Sequence, residues 1–274
     1  YPNRIITGPD GALWFTEEGY EASKIGHLTT TGVFNEFKLS KGIEPSHVAA
    51  VAGNIWFTEA NSAGLGYVTE SGVATYFGAT STTRGIVAAV GNRAWVTNFD
   101  AGQIGIVDGT TGATTEYYVP TQGAEPYDVA LAGKKTAVWF TEFGSTKIGV
   151  VNTSGKFKEY PVPNAPQGLV YGPDGALWFT ETDANKIGRI TTKGAVSETS
   201  LPTANSGPTV ITAGPDGALW FTEYNASQIG RITTSGKVTE YATPDASAQP
   251  VGITTGPDKH IWFVEHATNA IVRM

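Results

Sequence analysis

GPDGALWFTE, residues 8–17, recurs without a change at 172–181 and again at 214–223. A ten-residue identity carried three times by one chain marks an internal repeat, and its tryptophan sets the period. All seven tryptophans lie in variants of this string: Trp14, Trp56, Trp95, Trp139, Trp178, Trp220 and Trp262. Successive gaps are 42, 39, 44, 39, 42 and 42 residues. Five units keep WFTE; the third reads WVTN (95–98) and the seventh WFVE (262–265). Downstream of each comes a second string, such as KIGHL at 24–28 and KIGRI at 186–190, ending with AIVRM at 270–274. Six units add a third, such as KVTEY at 237–241. A constant period of this size is the signature of a repeat architecture.

Each unit reads as four short strands. Strand a is a stretch such as SHVAAVA (46–52), b is ALWFT, c is KIGRITT and d is KVTEYAT. GPDG fits the turn from a to b, with Pro second and Gly where positive φ is wanted. TTxG and TSG supply the c-to-d turn, and no segment has a helical period. The fold class is therefore all-β: a seven-bladed β-propeller with four-stranded antiparallel blades. Residues 1–274 form a single propeller, with blades at approximately 1–39, 40–79, 80–120, 121–162, 163–201, 202–243 and 244–274. Blade 7 has no strand d of its own, so either residues before Tyr1 supply one or the blade has three strands. The strand-c glycine is expected to let neighbouring sheets approach closely.

Composition narrows the partners. The 274 residues are 40% hydrophobic and 16% charged, with 18 Lys+Arg against 25 Asp+Glu for a net charge of −7. Nothing basic is clustered, so nucleic acid is not an expected partner. The absence of cysteine removes disulfides, zinc-thiolate sites and thiol nucleophiles. No apolar run approaches membrane-spanning length. High Thr, Ser, Gly and Ala with few Lys suits a secreted surface, and the chain is expected to be a monomer.

Strand order puts the b–c and d–a loops on one face, around the mouth of the central channel, where a propeller's concave site usually lies. Two residue sets are expected there. The end of strand b gives Glu17, Glu59, Asn98, Glu142, Glu181, Glu223 and Glu265. The start of strand a gives Asn3, Ser46, Arg84, Tyr127, Gln167, Thr209 and Val251. Six carboxylates at one mouth would repel unless paired, hydrogen-bonded or bound to a metal, with Mg2+ or Ca2+ as candidates. A catalytic residue is needed once, so a carboxylate that recurs in six blades reads rather as a structural latch at the blade junction. Function belongs where the repeats differ, and the differences gather in blades 2–4. The loop into blade 2 reads Glu44-Pro45-Ser46-His47, and that into blade 4 reads Glu125-Pro126-Tyr127-Asp128. Between them lie Arg84 and Asn98. His47 with Glu44 and Glu59 is the candidate catalytic group, His47 as base. Arg84, Tyr127, Asp128, Glu125, Glu142, Asn98, Glu265 and His266 are candidate ligand-binding residues. A satisfied polar rim without turnover explains the same residues. His27 and His260 fall near the opposite turns and read as surface or packing residues.

GPDGALWFTE, NKIGRITT (185–192), SGKVTEY (235–241) and the EPxx loops closely resemble the virginiamycin B lyase family across all seven repeats. That resemblance implies a seven-bladed propeller that linearises a cyclic depsipeptide by elimination across its ester, using a magnesium ion and a catalytic His. The implied catalytic pieces enter blades 6 and 7: a His after the Pro of blade 6, and Glu-Pro-His into blade 7. Here those places hold Thr209 and Gln249-Pro250-Val251, and of the implied set only Glu265 remains. Val251 cannot take a proton, so streptogramin lyase activity is not expected at the family's usual site. Three readings remain: a lyase or hydrolase on an ester or lactone with a relocated site, a propeller that binds a small molecule, peptide or glycan, and a metal-stabilised scaffold.

Overall fold

The computed structural model describes residues 1–19, 23–60, 64–78, 81–133 and 137–274. Those residues form 27 strands, in six four-stranded antiparallel sheets and a final three-stranded one, each sheet made of consecutive strands. Blade 5 is representative in order: Leu169–Tyr171, Ala176–Glu181, Lys186–Thr191 and Val196–Ser200. The inner strands run from Pro2–Thr7 in blade 1 to Pro250–Thr255 in blade 7. Each touches the inner strands of both neighbours, and the seventh touches the first, so the ring closes. Blade 7 ends at Ala270–Arg273 and has three strands.

The core lies between blades. Trp56, Val51 and Leu65 of blade 2 pack with Ile86, Ala94 and Val107 of blade 3, and the other junctions repeat the arrangement. Six of the seven tryptophans are buried and Trp220 is partly so, and most stack on an aromatic of the outer strand: Trp14 on Phe37, Trp139 on Tyr160 and Trp220 on Tyr241. Large aromatics bury ~150–250 Å² each, so these rings supply much of the apolar burial that holds the disc together.

The letters of the opening decapeptide now have separate jobs. Its first glycine clears space for the indole: a Cβ on Gly8, Gly172 or Gly214 would sit within 2.5 Å of the following Trp. The Asp accepts the indole N–H, at 3.0 Å from Asp10 to Trp14, 3.0 Å from Asp174 to Trp178 and 3.1 Å from Asp216 to Trp220. Its other oxygen takes a cation from strand c, as in Asp174–Arg189 at 2.7 Å. The last glycine of the turn has φ 75° in all three copies. Trp56, whose turn lacks the Asp, leaves its buried Nε1 without a partner. The strand-c glycine works inside its own blade instead of at the neighbouring sheet. A Cβ on Gly26, Gly149, Gly188 or Gly230 would lie 2.1–2.2 Å from the strand-b Phe of the same blade. That Phe lies flat across the sheet only because the position carries no side chain.

Candidate functional site at the channel mouth

Six of the seven inner strands open with a bulge. In blade 1, Pro2 pairs with Glu17 and the next pair is Ile5 with Phe15, so Asn3 and Arg4 together oppose Thr16. The same interruption recurs in blades 2, 3, 4, 6 and 7. A bulge re-aims side chains, and here it lets two successive residues of one strand reach the axial opening.

The threonine of WFTE fixes the bulge. Its Oγ1 accepts the second bulge residue's N–H, as in Arg4 to Thr16 at 3.0 Å and His47 to Thr58 at 3.1 Å. It donates to the first bulge carbonyl of the next blade: Thr16 to Ser46, Thr58 to Arg84, Thr97 to Tyr127, Thr141 to Gln167, Thr180 to Thr209 and Thr222 to Val251, at 2.7–3.0 Å. Threonine, not glutamate, is thus the latch between blades. Blade 7 has Val264 at this place and makes no such bond.

The strand-b acids lie inside the sheets, off the mouth. Glu142, Glu181 and Glu223 are fully buried, and Glu59, Asn98 and Glu265 nearly so. Each is held locally: Ser145 donates to Glu142, Ser206 to Glu223, Thr268 to Glu265, and Asn98 donates to Glu116. Burial, with the outer-strand carboxyls Glu159, Glu198 and Glu240 beside them, pushes Glu142, Glu181 and Glu223 up to about 7. Glu17 is likewise raised, by burial and then by Glu36.

The opening itself is a cavity of about 410 Å³. All seven first-bulge residues expected from the sequence line it: Asn3, Ser46, Arg84, Tyr127, Gln167, Thr209 and Val251. Arg4 and His47 join them from the second bulge position, with Glu18 and Tyr224 at the rim. A deeper cavity below is walled by Arg4, His47 and Asp128 above a belt of Ile and Val. The structure therefore brings His47, Arg84, Tyr127 and Asp128 together around one axis. It does not bring Glu44, Glu59, Asn98, Glu125, Glu142, Glu265 or His266 to the cavity wall. His266 instead lies against Tyr1, with ring centroids 5.1 Å apart. His27 binds Asp10 and His260 lies beside Arg273 on the turns.

Arg4 is the residue the sequence reading missed. It occupies the same column as His47 and Asp128, the second residue after the Pro, so Pro2-Asn3-Arg4 carried the signal. Its Nη2 lies 2.7 Å from His47 Nε2, and Ser46 Oγ lies 3.2 Å from Nδ1. A guanidinium can only donate, so Nε2 accepts and the ring is the neutral Nδ1–H tautomer. Burial, then Arg4 and Arg84, hold His47 well below the usual histidine range. Both ring nitrogens are engaged, which leaves His47 no lone pair for a substrate proton.

Asp128 is also occupied. It accepts the N–H of Val129 at 2.8 Å and of Leu169 in the next blade at 3.0 Å. Burial raises its pKa against the opposing pull of Arg4 and those amides. Arg84 differs, because its buried Nε has no partner. It sits above the Phe99 ring, 5.6 Å from the centroid. Elsewhere around the mouth polar groups satisfy each other: Asn3 with Glu18, Gln167 with Thr182, and Thr209 with Thr222 at 2.9 Å.

A model of the virginiamycin B lyase family matches residues 1–165 and 78–274. The chain belongs to this family. It is 32% identical over 179 residues to virginiamycin B lyase of Nocardia farcinica (strain IFM 10152), a match spanning 64% of this chain and 61% of that relative's length. Among solved structures, a streptogramin B lyase superposes with a TM-score of 0.92 at 37% identity, covering 98% of this chain and 91% of that one. A catalytically inactive His-to-Ala variant of virginiamycin B lyase from Staphylococcus aureus with quinupristin gives 0.91 at 33%, covering 98% and 93%.

The positions where the family's pattern implies catalytic residues open onto this same cavity, from the side opposite Arg84. Thr209 and Val251 line it, while Gln249 accepts the Tyr224 hydroxyl at 3.1 Å and Glu265 stays within blade 7. For the magnesium ion that the family implies, the donor set does not fit. Among the described residues no group of three or more His, Asp or Glu could hold a metal. The charged neighbours at the mouth are Arg4, Arg84, the amide-bound carboxylate of Asp128 and, at the rim, Glu18, which accepts from Asn3.

Proposed function

We infer that this family member uses its channel mouth to bind a small anionic molecule and does not carry out the family's elimination at the blade 6–7 positions. The observation that carries this reading is Arg84, whose buried Nε has no partner while most polar groups across the mouth are satisfied. A buried donor left unpaired costs ~1–3 kcal/mol, which a bound acceptor recovers. Arg4 adds a second positive charge from the next layer, and His47 stays neutral beside it, so the opening favours an anion despite the chain's overall negative charge. Guanidinium groups match carboxylate geometry through paired N–H donors.

The absence of a base at the implied positions supports binding without elimination. Val251 has no titratable group, and the Thr209 hydroxyl is tied to Thr222. Incubation with quinupristin and magnesium ions, followed by mass spectrometry, is expected to leave the ring closed. Calorimetric titration with acetate is expected to show binding that Arg84→Ala abolishes while the melting temperature holds. Ring opening, or acetate binding unaffected by Arg84→Ala, overturns the reading.

A further inference from the structure

The seven blades act as an internal control for what each position requires. The residue after the end of strand b donates its N–H to the carbonyl before the Pro, or before Thr83, in six blades, so its backbone place is the same. Its side chain varies: Glu18, Ala60, Thr182, Tyr224 and His266 in five blades, but Phe99 in blade 3 and Phe143 in blade 4. The fold therefore does not need an aromatic there. Phe143 is 38% exposed, which a packing role does not require.

These two phenylalanines enclose Tyr127 of the mouth. Centroids lie 6.2 Å apart for Phe99–Tyr127, 5.7 Å for Tyr127–Phe143 and 6.4 Å for Phe99–Phe143. Arg84 caps the cluster from above Phe99, and His47 meets the Tyr127 ring edge-on at 5.6 Å. An aromatic shelf thus adjoins the unpaired cationic donor on one side of the opening. Aromatic rings stack on such surfaces in offset or edge-to-face geometry.

We propose that the ligand is an aromatic carboxylate, its acid group on Arg84 with Arg4 behind and its ring against Phe99, Tyr127 and Phe143. This rests on the anion-binding reading above and adds the chemical class of the anion. Neither group suffices alone: the shelf does not select charge, and the arginine does not select a ring.

Three probes separate the parts: propionate (acid only), 3-phenylpropionate (acid and ring) and phenethyl alcohol (ring only), titrated calorimetrically against the whole chain. The expected order places 3-phenylpropionate at least tenfold tighter than either other probe. Phe143→Ala, at an exposed site, is expected to erase most of that gain and leave propionate unchanged, whereas Arg84→Ala weakens both acids. Equal affinity for the two acids overturns the aromatic assignment and leaves the anion reading standing. Phenethyl alcohol binding as tightly as 3-phenylpropionate overturns the anion reading itself. No binding by any probe overturns both.

Discussion

Six of the seven blade junctions carry the threonine bond, and the missing one can be written in. At the 7–1 junction the donor position is Val264, fully buried. The acceptor is already in place: a Cβ on Gly252 would come within 2.4 Å of the Asn3 carbonyl oxygen. The same close approach appears at Gly168 with the Thr209 carbonyl (2.5 Å) and at Gly85 with the Tyr127 carbonyl (2.7 Å). Those are the carbonyls that Thr180 and Thr97 reach, at 2.8 and 3.0 Å. Val264→Thr should therefore form a bond of matching geometry to Asn3. A satisfied buried hydrogen bond contributes ~1 kcal/mol, and valine and threonine differ little in volume. In a chain of this size that raises the melting temperature by ~2–4 °C. Thermal unfolding by circular dichroism, with Thr180→Val as the mirror experiment, is the assay. Thr180→Val is expected to lower stability by ~1–3 kcal/mol, because the Gly168 N–H also loses its acceptor. A lower melting temperature for Val264→Thr would refute the reasoning, since a buried hydroxyl without its partner is destabilising.

Three other outcomes follow from the same geometry. Glu142, Glu181 and Glu223 have folded pKa values of about 7 against an ordinary 4.5, so the folded chain keeps protons that the unfolded chain releases. Their contribution is complete below 4.5 and is lost as pH rises through about 7, so the melting temperature should fall between pH 5 and 8, with a shallower slope in Glu181→Gln. Asp174→Ala removes the acceptor of the Trp178 indole and the partner of Arg189. It should cost ~1–3 kcal/mol in chemical unfolding, whereas the same change at exposed Asp183 should cost almost nothing. Treatment with EDTA should leave acetate binding unchanged, since the groups at the mouth are cationic or already bonded; loss of binding would place a metal there.

The repeat made the fold legible, because seven tryptophans at a near-constant spacing admit few closed architectures. The turn letters were legible for the same reason: GPDG has one place to be. The site was half legible. Comparing loops between blades pointed to His47, Arg84, Tyr127 and Asp128, all of which meet at the axis. The strand-b glutamates drew attention because they are charged, but adjacent residues on a strand face opposite ways. In WFTE the threonine faces the next blade and the glutamate the interior of its own. The bulge hid Arg4: an extra residue breaks the alternation, so a strict in-out reading credits only the first side chain after the Pro. Nothing in the sequence signals that the lone pairs of His47 are taken, since Arg4 approaches it from another blade.

The paired side chains of each bulge also make the mouth rewritable. One position in every blade, and a second in blades 1, 2 and 6, points into the opening while the latch that holds them uses only backbone atoms and a threonine. At the first position the side chain can change without altering the bond that joins the blades, whereas a Cβ on Gly85, Gly168 or Gly252 at the second would press on the next blade's carbonyl. Specificity in such a ring can drift blade by blade, on a frame that stays constant, and the same independence would let a designer graft one recognition group at a time.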